Sequence, residues 1–256
     1  MFLAPAVRIL RMCGRFTLRT PASRLADVFS IPLLRSAELP LRFNIAPTQS
    51  VVVIRRRPDS SEMEAVSLRW GLIPRWARDA RSSASLINAQ SETIATKPAF
   101  RDAFKRRRCL IPADGFYEWQ VVPGRKTKQP HFISLRDDQP FAFAGIWEAW
   151  KNPEGERVES FAVITTEANE IMRPLHDRMP VILPPKSHAV WLDPNTPVET
   201  LQALLVPFPA SDMKEHPVSP LVGNPRSQGE VCIQPLDRVE PSLPFGNAVD
   251  PPSVQP

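Results

Sequence analysis

The chain has 256 residues, 43% hydrophobic and 23% charged, with 32 Lys and Arg against 27 Asp and Glu for a formal charge of +5. This is ordinary globular usage in a chain long enough for one or two domains and a real core, which excludes a disordered or collagenous protein. No apolar run approaches the ~18 residues of a membrane-spanning helix, so no membrane partner is expected.

The opening MFLAPAVRIL has no basic stretch ahead of its apolar residues and carries Arg8 inside them, a poor signal peptide. Runs rich in β-branched and aromatic residues predict strands over 14–18, 51–57, 65–70, 109–112, 115–122, 131–136, 141–150 and 160–166, with a further strand at 181–183. Helical patterns are short and fall at 21–29, 97–107, 167–172, 186–192 and 198–205. Thirty prolines against nine glycines favour such short elements joined by turns. Strands outnumber helices and do not alternate with them strictly. The expected fold is therefore α+β, a mixed, mainly antiparallel, barrel-like sheet with short flanking helices. One domain is expected through about residue 238, followed by a disordered Pro-rich tail over 239–256.

Three scattered cysteines, Cys13, Cys109 and Cys232, form neither a disulfide framework nor a C-x-x-C pair, which points to a reducing, cytoplasmic compartment. The four histidines have no short-range partners, so no zinc site is expected. Charge is unevenly spread: residues 1–130 hold 23 basic and 10 acidic side chains, and residues 131–256 hold 9 and 17. A polyanion would be drawn to the first half; a basic solvated face with no partner would read the same way. Basic and aromatic residues interleave at RWGLIPRWAR (69–78) and basic residues crowd 101–108, a mixture suited to single-stranded nucleic acid. A solvated helix face accounts equally for arginines in 101–108 that point away from a groove.

Four segments place reactive residues in apolar surroundings. In Met12-Cys13-Gly14, Cys13 is either a small buried hydrophobe or a nucleophile. If the chain starts at Met12 and loses it, Cys13 presents an amine beside a thiol, a reagent that closes aldehydes into a five-membered thiazolidine. Asn88, in LINAQSET, is a helix-capping or turn residue, or an amide that positions a reacting amine. Glu118, between Tyr117 and Trp119, is an outward-facing strand residue or a desolvated acid–base. His176, in the turn LHDRMP, is structural or a proton shuttle that Asp177 could orient.

Taken together, MCGRFTL, RFNIAPTQ (42–49), RWGLIPRWA (69–77), INAQSET, CLIPADGFYEW (109–119), AGIWEAW (144–150), VITTEAN (163–169) and HDRMPVIL (176–183) resemble the SRAP family, the SOS response-associated peptidases. The resemblance runs in order from Met12 to about Leu183. It implies an SRAP-like fold and a sensor of abasic sites in single-stranded DNA that joins its processed N-terminal cysteine to the ring-opened sugar aldehyde. By position, it implies that Cys13 cross-links, Asn88 positions the amine, Glu118 moves protons and His176 assists ring opening. It places Arg15, Asn44, Arg75, Trp76, Gln90 and Thr165 where the family contacts DNA or shapes its cleft. Gln90 stands where the family commonly has arginine. No cofactor and no metal are implied, and protein partners stay open. An internal Cys13 would have a delocalised amide nitrogen that cannot attack an aldehyde. Residues 1–12 are therefore expected to be untranslated or removed. The rival reading is a thiol peptidase, or autopeptidase, using Cys13 and His176; a third is a non-covalent nucleic-acid-binding module.

Overall fold

The structure, a computed structural model, describes residues 14–32, 34, 38–80 and 86–236. Cys13, the extension before it and the tail expected over 239–256 lie outside the described residues.

The architecture grows from one long strand. β10 (Arg157–Glu167) and β9 (Phe141–Lys151) form an antiparallel hairpin in which β-branched, aromatic and alanine residues are buried on both faces. β6 (Arg108–Ala113) pairs with β9, β3 (Ser50–Arg56) with β6, and β4 (Met63–Trp70) with β3, all antiparallel. β4 then returns to β10 in parallel, with Ser160 opposite Arg69, so these five strands close into a barrel. Closure leaves this ring without open edges.

The C-terminal half of β10 pairs instead with β5 (Asn88–Gln90) in parallel and with β11 (Arg178–Pro180) antiparallel. The loop between β4 and β5 is thus spliced along one side of β10, and it carries Trp76. β12 (Ile182–Leu183) adds to β9.

A second sheet, in the order β13-β8-β7-β1-β2, is antiparallel throughout: β1 (Phe16–Leu18), β2 (Arg42–Ile45), β7 (Gly115–Gln120), β8 (Gln129–Leu135) and β13 (Met213–Pro217). One face packs on the barrel through edge-on aromatic contacts, Phe16 with Trp70 at 5.1 Å and Phe116 with Phe143 at 5.9 Å. The other face, with Tyr117 and Phe132, is covered by Val218, Val222 and Cys232.

The chain crosses from barrel to sheet at Asp114, a buried carboxylate that accepts the Thr20 N–H at 3.0 Å and also binds Arg19 N–H. Short helices flank the sheets: α1 (Ala22–Phe29), α2 (Arg101–Arg106), α3 (His188–Leu192) and α4 (Val198–Ala203).

The expected α+β, barrel-like fold is what forms. One expected helix does not. Glu167 ends β10 and residues 170–175 make turns, where the Asn169 side chain accepts Met172 N–H at 3.0 Å and donates to Phe208 O at 2.7 Å. An asparagine that bonds nearby backbone in this way competes with a helix.

Candidate functional site

The proposed reactive residues come from both sheets, and a short series of contacts joins them. Glu118 lies on β7 with 4% of its surface exposed, and its Oε1 accepts the Trp119 N–H at 3.1 Å. Tyr117 N–H donates to Arg15 O at 3.0 Å, which carries the β1–β7 register one step past β1. Gly14 is the next residue along the chain toward Cys13. Gln120, on the same strand face as Glu118, donates through Nε2 to Pro174 O at 3.3 Å and so ties β7 to the turn that holds His176.

His176 Nδ1 is 2.6 Å from Asp177 Oδ1 and also meets the Arg178 N–H at 3.1 Å. Nε2 is buried and has no hydrogen-bond partner among the described residues. Arg178 follows directly. Its guanidinium grips Glu92 at 2.5 and 2.9 Å and donates to Thr165 O at 2.8 Å. The bidentate contact holds Glu92 below the usual carboxylate range, with burial opposing. This clamp fastens β11 to β10 and to the turn after β5, and β5 begins with Asn88, half-buried opposite Val163. Gly14, Glu118, His176, Thr165 and Asn88 therefore sit on linked pieces of backbone although 162 positions separate the first from His176.

The other site residues divide by how their polar atoms are spent. Asn44 is fully buried; its Nδ2 donates to Val222 O and Asn224 O at 3.0 and 2.9 Å, and its Oδ1 accepts from Arg15 at 2.8 Å. Arg15 also donates to Val222 O at 2.7 Å and Gly223 O at 3.0 Å and lies 5.8 Å over Trp119, and burial lowers its pKa. As placed, this pair holds the Pro220–Gly223 turn. Thr165 is fully buried and offers its carbonyl to Arg178 and to Ser91 N–H.

Gln90, Arg75 and Trp76 are exposed, Trp76 by 68%. Beside Trp76, Arg75 lines a cavity of about 400 Å³ with Arg107, Glu148, Lys151 and Arg157. Not all of the basic run at 101–108 faces outward. Arg107 pairs with buried Glu148 at 2.8 Å. Arg108 is buried, donating to the carbonyls of Phe104, Lys105, Trp191 and Asp193, and burial pushes its pKa down to about 10.

The SOS response associated peptidase (SRAP) family matches residues 12–225. The chain belongs to the SRAP family. It is 43% identical over 225 residues to the abasic site processing protein YoqW of Bacillus subtilis, covering 87% of this chain and 99% of that one. It is 31% identical over 231 residues to the abasic site processing protein YedK of Escherichia coli, covering 88% and 100%. Its fold matches a Bacteroides thetaiotaomicron protein with a TM-score of 0.73 at 24% identity, over 87% of this chain and 99% of that chain. A Bordetella bronchiseptica protein matches with a TM-score of 0.68 at 30% identity, over 81% and 100%.

The SRAP match begins at Met12, directly before Cys13. What the sequence reading left out of this SRAP site is the Glu92–Arg178 clamp. Both residues lie inside the INAQSET and HDRMPVIL motifs, but their pairing across 86 positions is visible only in the fold.

Proposed function

We propose that this SRAP chain processes abasic sites in single-stranded DNA by forming a covalent thiazolidine through Cys13. The observation that supports the reading is that hydrogen bonds tie β7, which bears Glu118, to the turn beside His176, and tie Arg178 in turn to the segment that begins with Asn88. Relatives named as abasic site processing proteins supply the substrate class.

With DNA on the face carrying Trp76, Arg75 and Gln90, His176 and Glu118 assist opening of the abasic sugar to its aldehyde. The neutral α-amine of a processed Cys13 adds to the aldehyde carbon, and Asn88 holds that amine by hydrogen bonding. Glu118 gives its proton to the hydroxyl of the adduct, which leaves as water and forms the imine. The Cys13 sulfur then adds to the imine carbon and closes the ring. The thiol proton returns to Glu118, so one water is the only by-product.

The test is an adduct with an oligonucleotide carrying one abasic site, counted after heating in denaturant. Wild type is expected to form it. Cys13→Ala should give only a labile imine, and Glu118→Gln should slow formation by roughly 10²–10⁴ with DNA affinity unchanged. A heat-stable yield from Cys13→Ala equal to wild type would overturn the proposal. Turnover of a peptide in trans would favour the thiol-peptidase reading instead.

A further inference from the structure

Glu118 has a neighbour that its proposed chemistry leaves unexplained. In the β7–β8 ladder it stands directly opposite His131. The two side chains therefore leave the same face of the sheet, with β-carbons about 5 Å apart. Glu215, opposite Ile133 on β13, rises from that face as well. The His131 side chain is nine-tenths buried, and its Nδ1 lies 2.6 Å from Glu215 Oε2. Its Nε2 is buried with no hydrogen-bond partner among the described residues.

On β7, β8 and β13 the titratable groups of this face are Glu118, His131 and Glu215. Tyr117, Lys214 and His216 belong to the opposite face, and the Pro220–Gly223 turn packed on β8 has none. A buried imidazole nitrogen without a partner costs free energy. The carboxylate at Nδ1 fixes the orientation of the ring.

We propose that His131, oriented by Glu215, is the positioning residue for Glu118 and shares a proton with it through Nε2. The proposal rests on Glu118 acting as the acid–base described above. When the Glu118 side chain turns to Nε2, which is unpartnered in this structure, one proton lies between the two, as carboxyl and imidazole or as carboxylate and imidazolium. That proton goes to the departing hydroxyl, and the thiol proton replaces it, so the pair ends as it began. Glu215 keeps its charge throughout and holds the Nδ1 proton.

The experiment is the rate of heat-stable adduct formation as a function of pH, with DNA affinity measured beside it. His131→Gln fills the space but cannot share a proton. It should be roughly tenfold slower, less than the 10²–10⁴ expected for loss of the acid–base itself, with unchanged affinity. Its profile should lose one inflection that wild type shows and keep the others. Glu215→Gln leaves the imidazole in place, so it reports even if His131→Gln folds poorly, and it should move that inflection to lower pH. Wild-type profiles from both variants would overturn the proposal while leaving Glu118 in its role. Wild type that forms no adduct, or Glu118→Gln that matches wild type, would overturn the Glu118 reading and this proposal together.

Discussion

Arg178 and Arg15 are both arginines beside the reactive residues, and counting their hydrogen bonds distinguishes what each does. Arg15 spends its terminal nitrogens on Asn44 and two carbonyls, so mutation there releases the Pro220–Gly223 turn. Arg178 spends its nitrogens on Glu92 and Thr165, joining the His176 and Asn88 segments. That clamp is pH-sensitive, and the sign follows from Glu92. Its folded pKa is depressed, by the Arg178 hydrogen bond first and against burial. The stabilisation is therefore complete above the unfolded value, near 4.5, and is lost as pH falls through the folded value. Glu92→Gln is expected to unfold at a lower temperature than wild type at pH 7, and the gap should narrow as pH drops from 5 to 3. Thermal melts across that range check it; a gap that stays constant would mean that the ion pair contributes nothing to stability. About half of the Glu92 side chain is exposed, so solvent screens the pair and the effect is expected to be modest.

At the scale of elements, the long strands were legible and the short ones were not. β9 and β10 are continuous runs of β-branched, aromatic and alanine residues whose periodicity is their own. β5 has three residues, and β13 reads Met-Lys-Glu-His-Pro without alternation. Each is a strand because a long neighbour supplies its hydrogen bonds. The same holds for β11, which the sequence reading took only as a polar turn. β7 depends on a close approach at its first residue. A β-carbon on Gly115 would sit 2.3 Å from the Phe132 ring and 2.7 Å from Ile133 O, and the second contact is backbone that cannot swing away. Gly115→Ala is expected to cost about 2 kcal/mol, within the range for overpacking a core. A urea midpoint lowered at unchanged slope is the measurement; an unchanged midpoint would show that β7 and β8 can part without penalty, and then Glu118 would not be rigidly held.

In the whole molecule, the SRAP motifs are far apart in the chain and close in the fold because β10 collects partners from three other stretches. Its first half closes the barrel, and its second half gathers the Asn88 and His176 segments. The proposed reactive residues were legible in the sequence only as candidates, because each sits in a motif of unusual composition. The supports were not, because Arg15 with Asn44 and Glu92 with Arg178 are ordinary polar residues until tertiary distance pairs them. The charge asymmetry between the halves was legible only as a bulk number. In the fold, Arg108 is drawn inside by four carbonyls and Arg107 by Glu148, and Arg75 is left beside exposed Trp76. The central claim, that Cys13 is the reacting residue and reacts as an aminothiol, is tested by peptide mapping of the denatured adduct with an abasic oligonucleotide. The account predicts one attachment, on a Cys13 with nothing N-terminal to it, at the summed mass less one water. Attachment at a lysine or at His176, or at a Cys13 still preceded by Met12, would contradict it.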